Sequence, residues 1–505
     1  MKRNFRIIAF LFVLITLLSS CVNDWLNLPP DDQIVIDQYW KSASDVEATV
    51  NSCYRYMIAD DFMYRLFYWG EMRSDNISLN SANTDETNLW NCNIQTDNNI
   101  TKWNSFYQVI NYCNTVIYYA PGVMSVDANF KEYELRAYLA EALTIRSLCY
   151  FYLVRTFGDV PLVLNPSKDD SENFNVPQSS EAIVIQQIIA DLKTAESYAR
   201  DKWNTNAETK GRVTKNAVRA LLADVYLWNN EYQNCITTCD AVLTDQINPI
   251  LLTESDYMFN RVFYSGNSPE SIFELNFSSG VKNNMTATLF GNTAKNITPR
   301  IKGSNMLVGG SGTAGAYDVN DIRGDAFFEP SGRIFKYEGM NYATVTGGAY
   351  SYRSSGSTSN WILYRLPDIY LMKAEALAQF DDAVSLNTAV TLINYTYYRA
   401  HSETDSLRHE DFSTKAKVLE EVYKERRREF AFEGKRWFDL LRMARREGST
   451  AKAAEFVLPG YSDATLISQK LSQLGAWYLP IHVTQMAIND KLYQNEYYKL
   501  ILGGN

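Results

Sequence analysis

The stretch NAVRALLADVYLWNNEYQNCITTCDAVL, residues 216–243, decides the fold class because two apolar helical runs follow each other across a short break. In Asn216–Trp228 and again in Tyr232–Leu243, apolar residues recur at the spacing of a buried α-helix face. The polar pair at 229–230 interrupts the pattern, so we expect a helical hairpin. Small residues that would let its helices approach closely, as in a tetratricopeptide repeat, lie at Ala217, Ala220 and Ala223.

A second hairpin with the same organisation is predicted later in the chain. PDIYLMKAEALAQ, residues 367–379, begins with a proline suited to a first helical turn, and another apolar run covers Ala383–Tyr398. Its first helix aligns with that of the earlier hairpin, so that Leu371 falls on Leu222. Because the two copies are far apart in sequence, folding across an insertion must bring them together.

Further helical runs lie on both sides of these hairpins. Glu134–Phe157 has helical spacing and stops at Gly158, and two more helices, Lys415–Phe432 and Arg436–Arg446, are split at Gly434. The sequence therefore predicts a mainly α fold built on tetratricopeptide-like helical pairs.

The segment ERRREFAFEG places three acidic residues beside the arginine run 426–428. Glu425, Glu429 and Glu433 recur at intervals of four. Opposite charges three and four positions apart support a helix and can tie it to its neighbours. We therefore interpret the pattern as structural and not as a catalytic acid cluster.

Two long stretches lack helical periodicity. Ser304–Asn360 is rich in Gly, Ser, Thr and Tyr, which is typical of loops. Tyr64–Trp103 mixes tryptophans with Asn, Asp and Arg, the composition of a polar surface that bears flat rings. Loops of this length are commonly functional or mobile.

The chain begins with MKRNFRIIAFLFVLITLLSSC, which has the pattern of an export signal. Three basic residues precede the apolar run Ile7–Leu18, and Leu18–Cys21 matches a bacterial lipobox. The run is shorter than the roughly 20 apolar residues that a transmembrane helix needs. We expect residues 1–20 to be a cleaved lipoprotein signal peptide and Cys21 to carry a lipid; the alternative is a secretory signal with an incidental cysteine.

The mature chain, 21–505, is predicted to be one domain with three parts. They are an N-terminal part with the first hairpins (21–250), a loop-rich insertion (about 251–361) and a helical C-terminal part (362–505). A hydrophobic content of 46% is typical of a folded globular protein. The six later cysteines have no pairing pattern, so we expect buried thiols and no metal site.

Charge and motifs exclude several classes of function. The formal net charge of −10 becomes −13 without the three basic residues of the leader, which argues against a nucleic-acid partner. The chain has His401, His409 and His482 as its only histidines, and it has no nucleophile elbow, phosphate-binding loop or zinc-protease motif. A glycosidase needs two facing carboxylates, whose separation a sequence does not show. We predict that the protein is not an enzyme and uses no cofactor.

Aromatic side chains are the strongest functional signal. The C–H faces of sugars stack on Trp and Tyr, while polar side chains bind the hydroxyls. The candidates for sugar contacts, in or beside irregular segments, are Trp90, Tyr350, Tyr352 and Trp361. We assign three other tryptophans, which lie on helices or beside a strand, to the core: Trp228, Trp437 and Trp477.

Four segments align in order with the SusD/RagB family, which the chain resembles over nearly its whole mature length. They are LVRTFGDVPLV at 153–163, GRVTKNAVRALLADVYLW at 211–228, YRLPDIYLMKAEAL at 364–377 and ERRREFAFEGKRWFDLLR at 425–442. The closing segment from Trp477 is also similar, although Asp490 stands where the family often has proline.

The resemblance implies a SusD-like outer-membrane lipoprotein that is lipid-anchored and faces the cell exterior. It also implies a large irregular ligand-binding region, built partly by the N-terminal irregular stretch and partly by the loop-rich middle. Members of this family act as lids on a SusC-like TonB-dependent transporter, to which they deliver captured oligosaccharides without chemistry. The family's segment near the ligand resembles WGEMRSDN at 69–76, which implies contacts from Trp69, Arg73, Asp75 and Asn76. The alternatives are a peptide cargo, as in RagB-like relatives, and a tetratricopeptide-type adaptor for another protein; the aromatic content favours an oligosaccharide.

Overall fold

The computed structural model describes residues 39–502, except for 80–81, 168–174, 248, 254–258, 291–296, 300–320, 328–333, 339–357, 402–404 and 462. The predicted signal peptide, Cys21, Tyr350 and Tyr352 lie outside the described residues. Within the described part, no helix is both long and apolar enough to cross a bilayer.

Helices dominate the N-terminal half. In chain order they are α1 (Ala43–Met57), α2 (Asp60–Glu71), α3 (Thr84–Trp90), α4 (Asn104–Val123), α5 (Glu132–Phe157), α6 (Glu181–Tyr198), α7 (Asn206–Gly211), α8 (Lys215–Trp228) and α9 (Tyr232–Leu243). The long α5 ends at Gly158 as predicted, where a φ of 77° favours glycine.

The second half combines short and long helices. They are α10 (Asn284–Leu289), α11 (Arg323–Phe327), α12 (Leu366–Leu377), α13 (Ala383–Ala400), α14 (Lys415–Glu429), α15 (Arg436–Glu447), α16 (Ala451–Val457), α17 (Ala464–Leu471), α18 (Val483–Ile488) and α19 (Glu496–Leu502). The predicted break at Gly434 is confirmed, since this residue has a φ of 72° in the turn between α14 and α15.

The two predicted hairpins are confirmed and pack side by side. α8 and α9 form the first and α12 and α13 the second, and α9 lies against α12. A side-chain cap begins one helix of each pair. At the start of α8, Thr214 Oγ1 accepts a hydrogen bond from Ala217 N. At the start of α13, the Asp382 carboxylate accepts from Val384 N and Ser385 N. The mainly α class with tetratricopeptide-like pairs is therefore confirmed.

Short antiparallel strand pairs join distant parts of the described chain. The pairs are β1 (Ile77–Leu79) with β5 (Ile297–Pro299), β2 (Val160–Pro161) with β3 (Gln178–Ser179), and β4 (Ser271–Leu275) with β6 (Trp361–Arg365). Because β6 runs directly into α12, the β4–β6 pair holds the second hairpin against the insertion.

One hydrophobic core extends from Val46 on α1 to Tyr498 on α19, and a smaller one lies between α12, α13 and α14. The core assignments of Trp228, Trp437 and Trp477 are confirmed, because each ring is at most 3% exposed. The six cysteines after Cys21 are buried, as predicted, and no disulfide joins them in the described chain.

The stretch Tyr64–Trp103 differs from its prediction as an irregular polar surface. Its first residues belong to α2, and Trp69 and Trp103 lie in the core. Polar residues beside these rings are buried too, since they bind other protein groups instead of water.

Candidate ligand-binding surface

Trp69, predicted as a ligand contact, lies in the hydrophobic core. The side chain is 1% exposed, and its ring stacks on Phe106 with 4.6 Å between ring centroids. Its Nε1 donates to Ile100 O at 2.9 Å. Because the ring and its N–H are both used within the protein, the predicted ligand role is corrected to a structural one.

Arg73 is buried where the N-terminal half meets the closing segment. Its guanidinium donates to Ala476 O at 3.2 Å and to Trp477 O at 2.9 Å. The guanidinium carbon also lies 4.2 Å from the centroid of the Trp437 ring. The prediction for Arg73 is therefore corrected, since the side chain is 1% exposed and its Nη1 and Nη2 donate to protein carbonyls.

Asp75 binds two arginines of the C-terminal part. Its carboxylate pairs with Arg427 Nε at 2.9 Å and with Arg436 Nε at 2.8 Å, and all three side chains are at most 1% exposed. The predicted ligand contact is wrong for a physical reason: the carboxylate has no exposed surface and neutralises buried cations.

Asn76 completes the same contact between the two halves. Its Nδ2 donates to Glu71 Oε1 at 2.7 Å, and its Oδ1 accepts from Arg427 Nε at 3.1 Å. Glu71 also accepts from the backbone N–H of Gly434 at 3.1 Å, and burial raises the pKa of its carboxyl to about 7. Asn76 is thus corrected as well, because its segment docks α2 onto the turn between α14 and α15.

Trp361 lies at the start of β6 and is 1% exposed. Its ring stacks on Tyr337 with 5.0 Å between centroids and meets Phe67 edge-on at 6.4 Å. The predicted ligand role is corrected to a core role, because the ring packs against other buried rings and presents almost no surface to a ligand.

The two regions expected to build the ligand face meet at the β1–β5 pair. β1 comes from the N-terminal stretch and leads toward α3, whereas β5 comes from the loop-rich insertion, and Ser78 pairs with Thr298. α10 of the insertion also contacts α2, where Asn284 Nδ2 donates to Asp60 Oδ2 at 3.0 Å. We call β1, β5 and α3 the junction surface.

α3 is fixed at its start by reciprocal capping. Glu86 N donates to Asn83 Oδ1 at 2.9 Å, and Asn83 N donates to Glu86 Oε2 at 3.0 Å. The other oxygen of Glu86 accepts from the buried Tyr68 hydroxyl at 2.6 Å. The polar side chains that remain at least partly exposed on α3 and the turn after it include Thr84, Thr87, Asn88 and Asn93.

Trp90 lies at the end of α3 and is half-buried. Its ring is tilted against Tyr461 with 4.9 Å between centroids, and the Tyr461 hydroxyl donates to Trp90 O at 2.7 Å. A ring that is held in place and partly exposed suits stacking on a sugar face. The ligand role of Trp90 stays a prediction; the supporting Tyr461, distant in sequence, had no signal in the pattern.

A buried ion network, which we call the charge clamp, holds the insertion against the C-terminal helices. Its acidic and basic members are Glu270, Asp321, Glu425, Glu429, Glu433, Arg323, Lys336, Arg365 and Arg399. The structural interpretation of the ERRREFAFEG acids is confirmed, because they pair with buried cations from the insertion, β6 and α13. Within the described ranges, no group of His, Cys, Asp or Glu is arranged to hold a metal ion.

The charge clamp predicts a pH dependence of stability at Glu433. Although burial favours the protonated form, Arg365 and Lys336 hold the pKa of this carboxyl at about 2, below the ordinary 4.5. A carboxyl whose pKa is lowered by folding adds to the free energy of unfolding at pH values above its unfolded-state pKa. This contribution is lost as the pH falls toward the folded-state pKa. We expect the stability advantage of wild type over Glu433→Gln to shrink by roughly 1 kcal/mol between pH values of about 6 and 3.5, measured by urea unfolding. An advantage that grows on acidification would contradict this.

A family model described as "SusD family" matches residues 329–498, and a second, described as "Starch-binding associating with outer membrane", matches residues 24–227. A SusD-like protein from Formosa agariphila is 25% identical, with 90% of this chain and 93% of the relative aligned.

Solved structures share the fold. A SusD superfamily protein from Bacteroides vulgatus superposes with a TM-score of 0.71 at 20% identity, covering 91% of this chain and all of that one. A structure described as a laminarin-binding SusD-like protein superposes with a TM-score of 0.68 at 21% identity, covering 90% of this chain and 99% of that one. At these identities the likeness establishes the architecture only.

Proposed function

Because the chain belongs to the SusD family, we propose that it is a surface glycan-binding lipoprotein that captures oligosaccharides. In this proposal it delivers them to a SusC-like TonB-dependent outer-membrane transporter. The observation that carries the proposal is the pair of family matches, one to the N-terminal part and one to the C-terminal part of the mature chain. The description of one matched family names starch binding and association with the outer membrane.

The junction surface supports an oligosaccharide as the cargo. It combines a partly exposed indole at Trp90 with neighbouring hydroxyl and amide side chains, which are the groups that bind sugar faces and sugar hydroxyls. A laminarin-binding protein of the same fold adds support for the ligand class. We propose that binding involves no bond breaking, so the protein is a receptor and not an enzyme.

The attachment to the outer membrane is proposed from the N-terminus. Lys2, Arg3 and Arg6 precede an apolar run that ends at the lipobox cysteine Cys21. Several acyl chains on Cys21 would anchor the protein stably, whereas a single chain gives only reversible binding. The family resemblance, and not the lipid itself, leads us to propose that the protein faces the cell exterior, where polysaccharide fragments reach it first.

Replacing the junction indole tests the site. We expect Trp90→Ala to lower the protein's affinity for the neutral oligosaccharide that wild type binds best by about tenfold, because the indole on which a sugar face would stack is removed. Calorimetric titration measures the effect. The matched control is Trp40→Ala, since Trp40 is also half-buried and stacks on a tyrosine, Tyr119, at 5.3 Å, but lies just before α1. Equal affinity in Trp90→Ala and wild type would exclude the junction surface as the glycan site.

A further inference from the structure

A groove of about 820 Å³ lies apart from the junction surface and shares no residue with it. The first half of α4 forms one wall, the segment after β2 forms another, and α18 with the residues that follow it forms the third. Its volume falls within the roughly 300–1,000 Å³ of small-molecule sites.

The described residues that line this groove include no charged side chain, although 21% of the chain is charged. Amides supply most of its polar groups, among them Asn104, Gln108, Asn111, Asn114, Gln485 and Asn489. Amides donate and accept hydrogen bonds without selecting for charge, which is what hydroxyl-rich neutral ligands require.

Several of these amides hold the walls in place. Asn114 Nδ2 donates to Val163 O at 2.9 Å, and Asn489 Nδ2 donates to Val176 O at 2.7 Å. Tyr107, whose ring meets Trp103 edge-on at 5.6 Å, donates from its hydroxyl to Pro161 O at 2.8 Å. The groove is therefore preformed, which lowers the entropic cost of binding.

Gln485 has hydrogen-bonding capacity left over. Its side chain is 8% exposed, and its Nε2 donates to Asn104 Oδ1 at 2.5 Å. Its Oε1 has no hydrogen-bond partner among the described residues. A buried acceptor without a donor costs about 1–3 kcal/mol, and a ligand hydroxyl would remove that cost.

We propose that this groove is a second binding site for an uncharged, polyhydroxylated ligand, a segment of a neutral oligosaccharide. The proposal rests on glycan binding for its ligand class, but it does not depend on the junction surface. In it, Gln485 Oε1 accepts a sugar hydroxyl, the exposed Gln108 binds at the rim, and Leu162 and Leu164 contact the apolar sugar face. The described residues of the lining offer no cation, so we expect acidic sugars to bind poorly, because their carboxylates would lose water without gaining a charged partner there.

The test uses the Trp90→Ala protein, in which the junction site is weakened. Neutral hexasaccharides of glucose, mannose and xylose, a galacturonic acid hexamer and an uncharged blocked peptide are each titrated calorimetrically. We expect one or more neutral hexasaccharides to bind still, and the galacturonate and the peptide not to bind. Adding Gln485→Leu should weaken this remaining binding by about tenfold, while the control Gln379→Leu, a half-buried glutamine outside the groove, leaves it unchanged.

The outcomes separate the two sites. Loss of all sugar binding in Trp90→Ala would overturn the groove site and leave the junction site standing. The groove proposal would also be overturned if Gln485→Leu left the remaining sugar affinity unchanged. Binding of the galacturonic acid hexamer or of the peptide to the Trp90→Ala protein would overturn it as well. Sugar binding that depends on Gln485 but not on Trp90 would support the groove and refute the junction site. No binding of any hexasaccharide to wild type would refute both.

Discussion

Glu429→Gln is expected to lower the free energy of unfolding by about 3–5 kcal/mol, because it removes a charge that three buried arginines share. The Glu429 carboxylate pairs with Arg323 at 2.9 Å, and with Arg365 and Arg399 at 2.5 Å each. All four side chains are at most 1% exposed, so water cannot replace the lost partner. Although burial favours the protonated acid, these arginines hold the pKa of Glu429 well below its usual range, as expected for a charge required at neutral pH.

The control for this substitution lies on the same helix. Glu420 pairs with Lys424 at 2.6 Å one turn away, and its side chain is 45% exposed. Exposed pairs of this kind contribute roughly 0.3–0.5 kcal/mol, so Glu420→Gln should be nearly neutral. Urea unfolding followed by circular dichroism compares the two variants. Equal, small effects would show that the charge clamp does not hold the insertion in place.

Gly70→Ala is expected to cost about 3 kcal/mol, because α2 and the turn after α14 approach each other too closely for a methyl group. A Cβ atom built on Gly70 would lie 1.8 Å from Gly434 O and 3.1 Å from the Phe438 ring. The first contact is with backbone, which cannot rotate away as a side chain can. Backbone N–H groups of the same turn donate hydrogen bonds to the Glu71 carboxylate, so the substitution would disrupt the docking of the two halves.

Gly122→Ala is the matched control, since Gly122 lies in α4 and a Cβ atom there meets nothing within 4 Å. Alanine is favoured over glycine in a helix by roughly 0.5–1 kcal/mol, so this change should be neutral or slightly stabilising. Thermal unfolding of both variants tests the pair. A midpoint for Gly70→Ala as high as that of Gly122→Ala would contradict the close approach.

The helices could be predicted from the sequence because their signals are local. Apolar periodicity placed both hairpins within a few residues of their observed bounds, and α9 matches its prediction at both ends. The strand pairs could not be predicted in the same way, because β1 and β5 are short and their pairing depends on contacts across the chain.

The candidate site was harder to predict because composition does not reveal burial. Trp69, Arg73, Asp75 and Asn76 have the residue types of a sugar site, yet the same groups serve equally well to join two buried surfaces. Arg427, in a run interpreted as helix support, turned out to be a buried partner of Asp75. The amides Gln485 and Asn489 lie four positions apart in the closing segment, but this spacing alone does not indicate a groove, because its other walls come from distant parts of the chain.

Calorimetric titration of the mature wild-type protein with neutral oligosaccharides and with uncharged peptides, followed by chromatography of the recovered ligands, tests the central claim most directly. Saturable binding of at least one oligosaccharide that is recovered intact, with no peptide binding, is the predicted result. Peptide binding without sugar binding, or recovery of shortened sugars, would contradict the account of a receptor that captures glycans without altering them.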